Sequence, residues 1–151
     1  MQKILFTLLI FFSFFSCVKT TSQQVEEMEM IKMSKTSCRG NCPQYSIVIY
    51  NSKKAVLEAK SNLKFEGKYA LELSDTQYGA LIQAFEESNF SSFEKEYTSK
   101  VTDLPTTYIS FLTNDSLYTI KDYYGAPEKL KELEKKVSNL LEEEGWKKMD
   151  I

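Results

Sequence analysis

The chain has 151 residues, of which 42% are hydrophobic and 13% aromatic, and this predicts one globular domain with a targeting segment. Its 19 basic and 21 acidic residues are interspersed, so no basic face is available and we expect no nucleic-acid partner. Histidine is absent, and no nucleotide-, phosphate- or metal-binding motif occurs. The composition therefore predicts no metal, no other cofactor and no enzyme.

The first segment has the features of an export signal. Lys3 precedes residues 4–15 (ILFTLLIFFSFF), a mostly apolar run. A membrane-spanning helix needs about 20 apolar residues, so this run fits the core of a signal peptide better than a stable anchor. It is followed by Ser16-Cys17, which resembles the lipobox of bacterial lipoproteins. The resemblance implies that Cys17 carries a lipid, and the alternatives are an ordinary secretory signal or a retained hydrophobic anchor.

These features define the expected organisation. Residues 1–16 are a lipoprotein-type signal peptide, residues 17–29 are the lipidated cysteine and a polar tether, and residues 30–151 are a single α+β domain. We expect the protein to be exported, held on a bacterial membrane through its N-terminal lipid, and turned toward the periplasm.

The other two cysteines, Cys38 and Cys42, lie in residues 37–45 (SCRGNCPQY). Outside the reducing cytosol an even pair of cysteines is expected to be oxidised, which predicts a structural disulfide with Gly40 at a positive φ. The alternative is redox catalysis, which usually employs C-x-x-C at the start of a helix, whereas here the spacing is C-x-x-x-C and a strand follows. Without histidine, two thiols do not complete a zinc site.

The first half of the domain predicts strands and then a helix. Segments rich in β-branched, aromatic or alternating apolar residues predict strands over residues 30–34, 45–50 and 55–60, and one bent or two short strands over residues 63–73. Ser74 and Gln77 form a capping box that starts a helix ending near Ser88. Its apolar stripe consists of Tyr78, Leu81, Ile82 and Phe85.

The second half predicts a hairpin and a closing helix. Residues 106–112 and 117–121 flank a four-residue loop, and the polar segment 89–103 before them has its anchor points at Phe90, Phe93 and Tyr97. Pro127 falls in the first turn of the last helix, and Gly145 ends it. The order of strands, helix, hairpin and helix predicts an α+β fold with a single antiparallel sheet of about five to six strands and two helices packed on one face.

Three features together resemble a known family. They are residues 37–45, the triplet Asp103-Leu104-Pro105, and the closing segment that ends at Trp146. In combination they resemble an uncharacterised bacterial domain-of-unknown-function family of exported lipoproteins, marked by S-C-x-G-x-C-P-x-Y, a downstream D-x-P and a C-terminal Trp. The resemblance covers residues 30–146 and implies one domain on an exported lipoprotein, without an activity.

Four residues are candidates for binding, and none is a candidate for catalysis in the leading interpretation. Arg39 lies in the tight ring and could contact an anion or a partner, although it could also be an ordinary surface arginine. Asp103 could bind a ligand or cap a turn. Tyr108 and Tyr124 could line an aromatic pocket with Tyr118, Tyr123 and Trp146, or pack across strands.

The leading hypothesis is a lipid-anchored cell-envelope module that binds an envelope protein or a small ligand without catalysis. One alternative is a thiol–disulfide redox protein that uses Cys38 and Cys42. A weaker one is a small hydrolase that depends on the Asp103 carboxylate.

Overall fold

The computed structural model describes residues 26–150. The predicted signal peptide and the predicted lipidation site Cys17 lie outside the described residues. Within the described part, no helix is long and apolar enough to cross a membrane.

The described residues form one eight-stranded sheet and two α-helices. The bounds are β1 Glu29–Lys35, β2 Gln44–Tyr50, β3 Lys54–Ser61, β4 Gly67–Glu72, α1 Asp75–Glu87, β5 Glu96–Tyr97, β6 Thr107–Thr113, β7 Ser116–Asp122, α2 Glu128–Ser138 and β8 Lys147–Lys148, with 3-10 turns at Phe90–Ser92 and Asn139–Glu142. The strand order is β5-β7-β6-β1-β2-β3-β4-β8. The predicted α+β class, the single sheet and the two helices are therefore confirmed.

The predicted number of five to six strands is wrong. The two extra strands, β5 and β8, have two residues each and lie at opposite edges of the sheet. Such short strands carry no periodic signal, because they form only where the folded chain passes an existing edge. The sheet is also not wholly antiparallel, because β5 pairs with β7 in parallel.

Alternation along the strands separates an inner from an outer face. The inner face is formed by buried apolar residues of six strands: Ile31, Met33, Ile47, Ile49, Leu57, Leu71, Ile109, Phe111 and Ile120. Both helices pack on this face. Phe85 of α1 stacks on Phe111 with ring centroids 5.1 Å apart, and Leu130, Leu133 and Val137 of α2 join the same core. The outer face carries mostly intermediate and exposed side chains, although Ser110 of β6 is buried there.

Local signals explain where the elements begin and end. The predicted capping box is present, since the Ser74 hydroxyl accepts from the Gln77 N–H at 3.2 Å and the Gln77 side-chain oxygen accepts from the Ser74 N–H at 3.0 Å. Pro127 is the N-cap of α2 rather than part of its first turn. The loop between β6 and β7 has two residues instead of four, because Asn114 and Asp115 adopt positive φ of 48° and 62° in a tight hairpin turn.

The two ends of the sheet differ. At one end, which we call the disulfide end, lie residues 36–43, 98–106 and 123–127, since Lys35 pairs with both Tyr45 and Thr107, and Thr107 pairs with Asp122. At the other end, residues 26–28 are hydrogen-bonded to the turn between β2 and β3. Asn51 accepts from the Met28 N–H at 3.0 Å, donates to the Glu26 carbonyl at 3.0 Å, and also donates its own N–H to the Met28 carbonyl at 3.0 Å.

Candidate functional site

The Cys38–Cys42 disulfide is present and closes a ring in the connection between β1 and β2, with the two Cα atoms 5.7 Å apart. The loop is fastened on both sides. The Asn62 side-chain amide donates to the Cys42 carbonyl at 3.1 Å, and the Thr36 N–H donates to the Thr106 carbonyl at 3.0 Å. The chain leaves the ring directly into a strand, without the helix start that lowers a thiol pKa in redox motifs.

The expected positive φ at Gly40 is wrong. Gly40 is not among the residues of positive φ in the described chain, and a Cβ at this position would meet only the Cys38 Sγ, at 3.8 Å. The reversal is shared by successive bends over residues 39–41, so no single residue needs a left-handed backbone.

Arg39 and Asp103, predicted separately as binding residues, contact each other. The Arg39 Nε lies 3.1 Å from Asp103 Oδ1, and its Nη1 donates to Oδ2 at 3.5 Å. The Thr102 hydroxyl also donates to Oδ2, at 3.2 Å, and Asp103 itself has a φ of 71°. The pair links the disulfide loop to the segment before β6, and most of the Arg39 side chain is exposed. The two charges neutralise one another, which leaves less for an external ion.

Tyr108 and Tyr124 are both exposed at the disulfide end. Tyr108 is 39% exposed on the outer face of β6, opposite Ser34 and Lys121, and Tyr124 is 50% exposed in the loop between β7 and α2. Leu104, next to Asp103, adds a third exposed apolar side chain at 41%.

The other aromatic residues do not join them in one pocket. The Tyr118 hydroxyl donates to the Phe93 carbonyl, and the Tyr123 hydroxyl donates to the Val101 carbonyl, each at 2.8 Å. Trp146 lies near the opposite edge of the sheet, where its indole N–H donates to the Leu140 carbonyl at 2.8 Å. These side chains anchor loops rather than line a binding site.

A second cluster lies on the inner face, where side chains of α2 contact the end of β7. Asp122 and Glu134 are both buried, at 1% and 4% exposure. The Lys131 ammonium donates to Asp122 Oδ2 and, at 3.4 Å, to Glu134 Oε2. The remaining carboxyl oxygens, Asp122 Oδ1 and Glu134 Oε1, are buried without a hydrogen-bond partner among the described residues. We call Asp122, Lys131 and Glu134 the acidic cluster.

The surroundings of the acidic cluster shift its protonation. Burial, and then the neighbouring carboxyl group of Asp122, raise the pKa of Glu134 to about 7, against the opposing effect of Lys131. Burial lowers the pKa of Lys131, but the hydrogen bond to Asp122 and the two negative charges outweigh it, so the net shift is upward. Burial also raises the pKa of Tyr45, whose hydroxyl donates to the Ser138 hydroxyl at 3.2 Å beside the cluster.

The family described as a domain of unknown function (DUF6438) matches residues 29–141, which include the disulfide loop, the Asp103 segment and the acidic cluster. The chain belongs to the DUF6438 family. No curated protein matches it significantly. The DUF6438 match ends before Trp146, and the family description carries no activity.

The acidic cluster of this DUF6438 domain was not predicted from the sequence, although a signal existed. Glu134 lies at i+4 from Leu130 and three positions before Val137, so it occupies the apolar stripe of α2. Asp122 continues the inward alternation of Tyr118 and Ile120 on β7. A charged residue at a core position is the feature that would have identified both.

In residues 26–150, no group of three or more cysteine, aspartate or glutamate side chains converges on one point. Asp122 and Glu134 supply two carboxylates, and Lys131 already occupies the position between them.

Proposed function

We propose that this protein is an exported, lipid-anchored and non-catalytic binding module of the cell envelope, and that the disulfide end is its binding surface. The observation that carries the proposal is the exposure of Leu104, Tyr108 and Tyr124, at 41%, 39% and 50%, on segments that meet at this end. Exposed apolar and aromatic side chains on neighbouring segments are typical of protein contacts.

The rigidity of these segments supports the same proposal. The disulfide restrains residues 38–42, the Arg39–Asp103 pair ties them to the segment of Leu104, and the Tyr123 hydroxyl ties the loop of Tyr124 to residue Val101. Fixed loops lose little conformational entropy on binding, so a small contact area can give useful affinity. Because the side chains project outward, an envelope protein suits them better than a small ligand.

Attachment through Cys17 is the second part of the proposal. It rests on the hydrophobic run and the Ser16-Cys17 junction. Intact-mass measurement of protein from membrane fractions should show acyl groups on a chain that begins at Cys17, and a Cys17→Ala variant should lose them. Unmodified wild-type protein in the soluble fraction would contradict this part alone.

The binding surface is tested by photo-crosslinking in cells that produce the full chain. A photoreactive amino acid replaces Tyr124 in one variant and, as a matched control, Thr119 in another, since Thr119 is exposed on the outer face of β7, the strand that precedes the loop of Tyr124. We expect one crosslinked product at Tyr124 that disappears when Leu104 is changed to Ser, and none at Thr119. Equal crosslinking at both positions, or none at Tyr124, would overturn the proposed surface.

A further inference from the structure

The acidic cluster is not part of the proposed binding surface, and two of its carboxyl oxygens lack a hydrogen-bond partner. The only buried side-chain polar atoms without a partner in residues 26–150 are Asp122 Oδ1 and Glu134 Oε1. An unpaired buried acceptor is costly, and two of them on carboxyl groups that share the Lys131 ammonium need a common explanation. A carboxylate can only accept, whereas a protonated carboxyl can also donate.

One proton placed between these two oxygens would give both of them a hydrogen-bond partner. We propose that Asp122 and Glu134 share a proton between their two unpartnered oxygens. This shared proton, which we call the clasp, holds α2 against the end of β7, and the contact loosens when the proton dissociates. The inference is independent of the proposed binding function.

The charges around the pair agree with this arrangement. With the proton present, one carboxylate faces the Lys131 ammonium and the acidic cluster is neutral overall. Without it, two carboxylates face one ammonium and a buried negative charge is left uncompensated, which is unfavourable. The other titratable groups on this side are Tyr45 of β2, beside Glu134, and Lys35 of β1, which lies between Thr107 and Tyr45 in the same row of the sheet.

The position of the clasp determines what it controls. Asp122 is the last residue of β7 and α2 begins at Glu128, so residues 123–127 form a short loop between the two clasped elements. The Ser138 hydroxyl donates to the Glu134 carbonyl at 2.8 Å and accepts from Tyr45, which extends the contact along α2 to β2. Loss of the proton is expected to loosen α2 and the loop that carries Tyr124, while β1 to β4 stay paired.

The test is hydrogen exchange of the purified full chain between pH 5 and pH 8, corrected for intrinsic exchange rates. In wild type we expect the equilibrium constant for the opening of α2 to increase about tenfold per pH unit up to about pH 7 and then to level off. Glu134→Gln keeps a donor toward Asp122 but cannot ionise, so its α2 protection should not change with pH. Glu132→Gln, at an exposed position of the same helix, should behave as wild type.

Two outcomes overturn the clasp. One is a Glu134→Gln protein with the pH dependence of wild type. If that variant does not fold, the side-chain carboxyl carbon of Glu134 is titrated by NMR in the wild-type chain. A midpoint near neutral pH supports the shared proton, and a midpoint at the ordinary glutamate value of about 4.3 overturns it.

Discussion

Arg39 and Asp103 lie 64 residues apart in the sequence and are joined by two contacts, at 3.1 Å and 3.5 Å, across the disulfide end. Arg39 is the only arginine of the chain. The contact connects two loops that have no strand pairing with each other, so it positions the loops more than it stabilises the core.

Arg39→Ala is expected to lower the free energy of unfolding by less than about 1 kcal/mol, because both partners are accessible to solvent and exposed ion pairs contribute little. Urea unfolding measures this, and hydrogen exchange should show faster exchange in residues 98–106. Asp103→Asn serves as the matched variant and should give a similar loss. A loss above about 2 kcal/mol from either change would mean that the pair supports the fold itself.

Replacing both Cys38 and Cys42 by Ser is expected to lower the free energy of unfolding by about 2 kcal/mol, since the loop-entropy model for a ring of about five residues gives this value. Wild-type protein unfolded under reducing conditions is the control and should show the same loss. The reduction potential separates the structural role from redox activity. A potential below about −300 mV indicates a structural bond, whereas about −200 to −120 mV with rapid exchange would favour a redox protein.

The free energy of unfolding should decrease as the pH rises, because the acidic cluster loses a proton. The pKa of Glu134 is raised from 4.5 to about 7 in the folded chain, so the folded state holds a proton that the unfolded state has lost. The resulting stabilisation is complete below about pH 4.5 and is lost as the pH rises to about 7, and the difference amounts to about 3 kcal/mol at most. Urea unfolding from pH 5 to pH 8 should show this decline in wild type and not in Glu134→Gln.

Other carboxyl groups act outside that window. The hydrogen bond to Ser52 lowers the pKa of Glu27, and the hydrogen bond to Lys53 lowers the pKa of Asp75. Their stabilising contributions are present above their ordinary pKa values and are lost only as the pH falls below about 4.5. Stability that rises between pH 5 and pH 7 in wild type would therefore contradict the assignment to Glu134.

Two glycines should differ in their tolerance of alanine. Gly145 has a φ of 98°, and a Cβ there would approach the Leu71 Cδ1 to 3.4 Å, so Gly145→Ala is expected to cost about 1 to 2 kcal/mol. Gly40→Ala is the matched control and should leave stability within about 0.5 kcal/mol, because its φ is not positive and the nearest atom is 3.8 Å from the new Cβ. Thermal unfolding of the two variants measures the difference. Equal losses would contradict the assignment of strain to Gly145.

Local patterns in the sequence were sufficient for most of the fold. The capping box at Ser74, the alternation of β2 and β3, and the apolar stripe of α2 each depend on neighbouring residues, and each was predicted within a few positions. The two-residue strands β5 and β8 depend on where distant segments meet, which no local pattern reports.

The same distinction applies to the candidate site. The disulfide followed from the count of cysteines, and the exposure of Tyr108 and Tyr124 is consistent with their selection as binding residues. The contact between Arg39 and Asp103 was not predicted, because sequence spacing does not show which loops share one end of a sheet. The leucines and valine of α2 do not by themselves identify Glu134, although its position in their stripe indicates a buried carboxyl group.

The hydrogen bonds between Asn51 and residues 26–28 determine at which end of the sheet the described N-terminal residues lie. Strand β2 runs from the disulfide end to the turn that contains Asn51, a length of about 23 Å for its seven residues. Glu26 thus lies at the end of the sheet opposite the loop that carries Tyr124. For a chain attached through its N-terminus, the exposed tyrosines would lie at the end of the domain opposite the attachment point.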